Sequence, residues 1–386
     1  MDNGAGMPLD SRVLEAMKPY FSEKYGNPSS SHYYGNSVKV ALAASRENVA
    51  QLLATGNPQE IIFTSGATES NNLAIKGFTY RNQEKGNHII TTAIEHISVI
   101  NICKFLQKQG FEVTYVPVDK NGVVDLEKLE EAINKKTILI SVMYANGEIG
   151  TIQPIEEIGN LAQENNISFH VDAVAAAGKV PINVKEEKID LLSLSSNNMY
   201  GPKGVGALFI NKGIKIQPII QGGGQERGLR SGTENIPGIV GMGRAAEIAQ
   251  KEMDAVGERL TALRDKLIKG VLDNIDYSFL NGHPTKRLPD NANLRFSYIE
   301  GESLILGLDM HRIQVSSGSA CTSKTLEPSH VLLAIGLVHE EAHGSLVFTL
   351  GKQNSEEDVK YVHEVLPDVV KRLRSLSPLT PKEMVR

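Results

Sequence analysis

Three neighbouring segments decide the fold class: Thr137-Ile-Leu-Ile-Ser-Val-Met-Tyr144, Pro154-Ile-Glu-Glu-Ile-Gly-Asn-Leu-Ala-Gln-Glu-Asn165 and Ser168-Phe-His-Val-Asp172. The first and third are apolar runs of strand length, and the segment between them reads as a helix. The same alternation continues on both sides. Upstream, helices are expected over Ser37–Leu53, Glu69–Glu84, Ser98–Lys108 and Asp125–Asn134, and strands over Glu60–Thr64, His88–Thr92 and Phe111–Val116. Downstream, Leu191–Ser195 is a further strand. Repeated strand–helix units with apolar strands indicate an α/β fold whose mostly parallel sheet is covered on both faces. A long amphipathic pattern, roughly Ile239–Asn274, leads out of this unit. Ala292–Tyr298, Ser303–Leu308 and a C-terminal helix over Ser355–Ser375 then suit a smaller α+β domain. The expected division is a large domain at residues 9–253 and a small one formed by 1–8 and 254–386.

Bulk properties narrow the function. A chain of 386 residues, 41% hydrophobic and 22% charged, has ample length for a core in one large domain or two. The net charge of −5 leaves no electrostatic footprint for nucleic acid. The longest apolar runs, such as Val331–Leu337, are too short to span a bilayer. Met1-Asp-Asn-Gly-Ala-Gly-Met-Pro8 lacks the regions of a signal peptide, so a cytoplasmic location is the default expectation. Two cysteines, Cys103 and Cys321, exclude a disulfide framework and a self-contained cysteine-ligated metal site. Cys103 shares helical spacing with Ile97, Ile100 and Leu106 and reads as a core residue.

Five stretches carry chemistry-bearing residues. In Phe63-Thr-Ser-Gly-Ala-Thr-Glu-Ser-Asn-Asn-Leu73 a strand ends in a small polar turn and a helix begins. Free N–H groups there suit a phosphate, although a simple cap explains the same residues. Asp172 ends an apolar strand and should point into the crevice where α/β folds bind ligands. His96, in Ile94-Glu-His-Ile-Ser98, lies between a strand and a helix, where it can stack on a flat ring or merely be hydrogen-bonded. Gly222–Asn235 is a glycine-rich loop in which Arg230 and Thr233 could serve an anion, or which is only a surface loop. Cys321, in Val315-Ser-Ser-Gly-Ser-Ala-Cys-Thr-Ser323, sits among small polar residues, the setting of a reactive thiol or a metal ligand.

Taken in order, these motifs resemble the cysteine desulfurases of the NifS/IscS type, within the class V aminotransferases. Gly26-Asn-Pro-Ser-Ser30, Ser31-His-Tyr-Tyr-Gly35, Asn146-Gly-Glu-Ile-Gly150, Tyr200-Gly-Pro-Lys-Gly204 and Arg230-Ser-Gly-Thr233 extend the match over nearly the whole chain. The resemblance implies a fold-type I architecture: a large domain with a mostly parallel seven-stranded sheet plus a smaller α+β C-terminal domain. It implies pyridoxal 5′-phosphate (PLP) as cofactor, a homodimer, L-cysteine as the substrate of active members, and an iron–sulfur scaffold protein as partner. Carried over by position, Ala67, Thr68 and Ser195 hold the cofactor phosphate, and Thr233 reaches it from the partner subunit. His96 stacks on the ring, Asp172 bonds the pyridine nitrogen, and Asn146 lies near ring or substrate. Cys321 becomes a persulfide, or ligates an iron–sulfur cluster shared with the scaffold.

The departures from that family are concentrated in the chemistry. Asn197-Asn198 stands where the family has His-Lys, and an amide forms no Schiff base. Ala175 stands for a glutamine on the cofactor's phenolic oxygen, and Val347 for the arginine that grips the substrate carboxylate. Ala5-Gly-Met-Pro8 replaces Ala-Thr-Thr-Pro. Lys203 is the family's own second lysine and reads as structural. The expectation is a degenerate homologue acting in iron–sulfur cluster assembly, with PLP held non-covalently if bound. The alternatives are an active desulfurase using untethered PLP or its aminated form, or a desulfurase trapped by alteration at the lysine alone, against which the further losses at Ala175 and Val347 argue.

Overall fold

The structure, a computed structural model, describes residues 1–318 and 328–381. Seven strands form the central sheet: β1 (Ile61–Thr64), β2 (His88–Thr92), β3 (Glu112–Val116), β4 (Thr137–Met143), β5 (Ser168–Asp172), β6 (Leu191–Ser195) and β7 (Gly206–Ile210). Their order is β1-β7-β6-β5-β4-β2-β3. Only β7 runs against the others, pairing antiparallel with both β1 and β6. The remaining ladders are parallel. Every residue of β1, β4, β6 and β7 is buried, which is why these strands read as continuous apolar runs rather than alternating ones.

Helices cover the sheet: α1 (Tyr33–Leu52), α2 (Ala67–Asn82), α3 (Ile97–Lys108), α4 (Leu126–Ala132) and α5 (Ile155–Glu164). The sheet's core divides between its two faces. One cluster joins Val38, Val49, Phe169, Val171 and Met242, and another joins Leu73, Ile75, Ile89, Cys103 and Leu208. Cys103 is buried as expected, and burial pushes its thiol up to about 12, far from reactive.

A 39-residue helix, α6 (Ile236–Asn274), begins where Asn235 accepts from the Gly238 N–H and Pro237 occupies the first turn. Its first half packs Ile239, Met242 and Ala246 into the large-sheet core. Its second half packs Leu260, Leu263 and Leu267 into a separate core with Leu294, Phe348, Val362 and Leu366. The expected boundary at 253/254 thus falls inside one continuous helix. The second core lies under a three-stranded antiparallel sheet, order β10-β9-β8, of β8 (Ser278–Asn281), β9 (Asn291–Phe296) and β10 (Ser345–Thr349). Helices α7 (Gly301–Asp309) and α8 (Glu356–Leu376) complete it. The N-terminus joins this second unit, since Asp2 bridges to Thr349 and Asn3 bonds the Thr349 carbonyl.

Candidate active site

Six of the seven large-sheet strands point the same way, so their C-terminal ends open on one crevice. A cavity of about 520 Å³ lies there. The segments leaving β1, β2, β4, β5 and β6 all line it, as do Gly4, Ala5 and Val347 from the second unit. Two other depressions of similar size share Asn166 and Ser168, at the N-terminal end of β5, and collect no comparable set of groups.

The floor of the cavity is a hydrogen-bonded chain. Asp172 is buried; its Oδ1 accepts from the Val174 N–H at 3.1 Å and its Oδ2 from Asn71 Nδ2 at 2.8 Å. Asn71 Nδ2 also donates to Ser98 Oγ at 3.0 Å, and Ser98 Oγ meets His96 Nδ1 at 2.8 Å. Position and orientation of Asp172 and His96 are therefore coupled through one amide. Two residues before Asp172 on the same face, His170 is fully buried between Ser141 and Ser193. Burial pushes His170 down to about 3, so it is a neutral structural group.

At the end of β1, Gly66 has φ +150° and nothing within 4 Å of where a side chain would begin. It opens the 16-residue helix α2, whose first N–H groups face the cavity beside Thr68 and Ser195. Glu69 closes the turn by accepting from Ser65 N–H and from Arg230 Nε at 2.9 Å. Burial opposes ionisation of Glu69, but these partners outweigh it and lower its carboxyl. The Gly222–Asn235 loop is anchored below: buried Glu226 forms a bidentate pair with Arg46 at 2.6 and 2.8 Å and accepts from the Phe63 N–H.

After β6 the chain makes a single tight turn, Ser196–Met199, closed by Tyr200 in the left-handed region (φ +59°). A side chain at Gly201 would meet Ser196 Oγ at 2.1 Å, so the turn requires glycine there. This turn presents Asn197 and Asn198 to the cavity, with Ser195 Oγ donating to Asn197 Oδ1 at 2.5 Å. Lys203 is exposed and does not line it.

Ala67, Thr68, His96, Asn146, Asp172 and Ser195 thus come together, and Asn197, Asn198, Ala175 and Val347 face the same space. Thr233 is exposed and is not brought to this cavity within its own chain. Cys321 lies outside the described residues. Asn146 is held by its amide donating to the Ile94 carbonyl and its oxygen accepting from Glu148 and Ile149 N–H groups. Reading the sequence missed Asn71, Glu95, Glu148, Lys179 and Asp290. Glu95 and Glu148 each keep one buried oxygen without a hydrogen-bond partner, and burial pushes them up to about 8 and about 7. Their motifs, Glu95-His96 and Gly147-Glu148, were visible, but burial of a carboxylate is not.

The aminotransferase class-V family model matches residues 1–362. Over 378 residues the chain is 57% identical to cysteine desulfurase IscS 1 of Archaeoglobus fulgidus, covering 98% of each protein. The chain belongs to this family, in its IscS/NifS-type branch. Cysteine desulfurase IscS of Methanosarcina thermophila is 55% identical, with 99% of this chain and 94% of that protein covered. Among solved structures, a NifS-like protein superimposes with a TM-score of 0.90 at 40% identity, over 96% of this chain and 99% of that one. SspA in complex with cysteine follows at 0.81 and 38%, over 90% and 97%. The class-V fold with its seven-stranded, mostly parallel sheet is therefore established.

The class-V family implies PLP, and the cavity fits it. The open helix start at Gly66 leaves room for a phosphate, and the buried Asp172 carboxylate and His96 border the same space.

Proposed function

We propose that this class-V protein is a degenerate cysteine desulfurase homologue acting in iron–sulfur cluster assembly. It docks a scaffold protein in the cytoplasm and presents Cys321 as persulfide carrier or cluster ligand. Normal conversion of L-cysteine to L-alanine and sulfur is weak or absent. One observation carries the reading: Asn198, Asn197, Ala175 and Val347 all face the cavity that retains Asp172, His96 and the α2 N-terminus. The relatives named cysteine desulfurase IscS support the sulfur-handling role.

Bound PLP supplies an aldehyde and an electron-accepting ring. The Ala67 and Thr68 N–H groups and the Ser195 hydroxyl would hold its phosphate, and Thr233 of a second copy would add to them. Asp172 would pair with the ring nitrogen, and His96 would lie against the ring. Asn198 offers no amine to move a proton at a substrate α-carbon, and Val347 offers no charge to a substrate carboxylate. Losing a nucleophile that is also the acid–base group costs several orders of magnitude in rate. An exposed aromatic cluster, Tyr25, Tyr33 and Tyr34, supports the homodimer, since such patches mark interfaces.

The test is cluster assembly with an iron–sulfur scaffold protein, iron and supplied sulfide. Cys321→Ala is expected to abolish the cluster held by the pair; an unchanged cluster refutes the ligand role. Sustained alanine formation by the unmodified chain favours the alternative, an active desulfurase using non-covalent PLP or its aminated form.

A further inference from the structure

We propose that Lys179 is the amine with which this chain takes the aldehyde of pyridoxal phosphate, and that Asp290 accepts the proton this amine must lose. The inference rests on the reading that the cavity holds that cofactor. Among the described residues, Lys179 is the one lysine lining the cavity, and no arginine lines it. It leaves β5 seven residues after Asp172, on a loop packed against the Asn197–Met199 turn: a side-chain carbon at Gly178 would lie 3.0 Å from Met199 Cγ. Lys179, Asp290 and Asn198 line both the main cavity and a small recess of about 30 Å³ beside it. The cation therefore sits next to the residue that replaces the family's lysine.

Asp290 explains how such an amine is held and released. Its side chain is 1% exposed, and Lys179 Nζ lies 2.7 Å from its Oδ2. Neither carboxylate oxygen accepts a well-directed hydrogen bond from the described residues. The contact is one of charge rather than geometry, and it sets a carboxylate oxygen within proton-transfer distance of the Lys179 nitrogen. In the step, the Lys179 ammonium gives one proton to Asp290. The nitrogen lone pair then bonds to the aldehyde carbon, the carbonyl oxygen leaves with the two remaining amine hydrogens as water, and a carbon–nitrogen double bond is left. No oxidant or reductant is consumed. The linkage tethers the cofactor from a displaced position and does not replace the lost carboxylate anchor at Val347, so normal turnover stays weak or absent.

The experiment incubates the full-length protein with pyridoxal phosphate, reduces it with borohydride and maps the added mass by peptide mass spectrometry, with bound cofactor measured separately by equilibrium dialysis. Labelling of Lys179 is expected to exceed that of any other lysine by about tenfold or more, since specific binding concentrates the aldehyde at one amine. Lys179→Arg keeps the cation beside Asp290 and is expected to lose the label while still binding the cofactor. Should that variant misfold by circular dichroism, Lys179→Gln with Asp290→Asn removes both charges together and serves instead. Cofactor retained by dialysis with no label on Lys179, or with label spread over exposed lysines, overturns the inference and leaves the cofactor reading standing. No retained cofactor overturns both.

Discussion

Asp172→Asn tests whether the cradle still reads a pyridine ring. The wild-type carboxylate spends one oxygen on the Val174 N–H and the other on Asn71, and its charge remains to meet a protonated ring nitrogen. An amide of the same shape has no charge and must turn its NH2 group toward one of those two donors. Two effects separate. The misplaced donor lowers stability by about 1–3 kcal/mol, the range for a buried group left unpaired. The lost charge-assisted bond weakens cofactor binding by about 1.5–3 kcal/mol, or about 10- to 150-fold in Kd. Urea unfolding gives the first and a fluorescence titration with PLP gives the second, under conditions where both proteins are folded. An affinity unchanged within about twofold, with the stability loss present, would refute the assignment of Asp172 to the ring nitrogen.

Asn198→Lys should produce a visible absorbance band with PLP that survives dialysis, and should move the borohydride label from Lys179 to position 198; a colourless protein shows that the turn no longer aims at the ring. The raised carboxyl of Glu95 gives a pH dependence. The native state holds a proton that the unfolded chain releases near 4.5, so stability from this group is full below that pH and falls as pH rises toward about 8. Unfolding free energy should therefore be lower at pH 9 than at pH 6, and Glu95→Gln should narrow the difference; an unchanged difference removes Glu95 as its source. Glu226→Ala leaves the half-buried Arg46 without its carboxylate, strands the Phe63 N–H and should cost about 3–5 kcal/mol in urea unfolding, the range for breaking a buried pair. A loss under about 1 kcal/mol would show that the pair is screened.

Strands buried on both faces were legible because their apolar runs are unbroken, as in Thr137–Met143 and Leu191–Ser195. β7 was missed: Gly206-Ala-Leu-Phe-Ile210 follows a turn too closely to stand out, and its reversed direction is a matter of pairing. β8 and β10 were missed because Ser278-Phe-Leu-Asn281 and Ser345-Leu-Val-Phe-Thr349 owe their state to β9 between them, a tertiary effect. Two helix starts lie earlier than expected: α1 begins at Tyr33, where His32 caps it, and α2 at Ala67, where Gly66 leaves the strand. In the cavity, residues carried by local motifs were found. Asn71, Lys179 and Asp290 were not, because each acts through a partner distant in sequence: Asn71 with Asp172, and Lys179 with Asp290.

The central claim is that the thiol of Cys321 outlasts the catalytic power of the cavity. The direct measurement supplies the PLP-loaded protein with L-cysteine, quantifies alanine and sulfide over time, and weighs the intact chain for sulfur on Cys321. No alanine beyond background is expected, and no persulfide without an added sulfur source. Continuous alanine release matched by sulfide, with persulfide on Cys321, would contradict it.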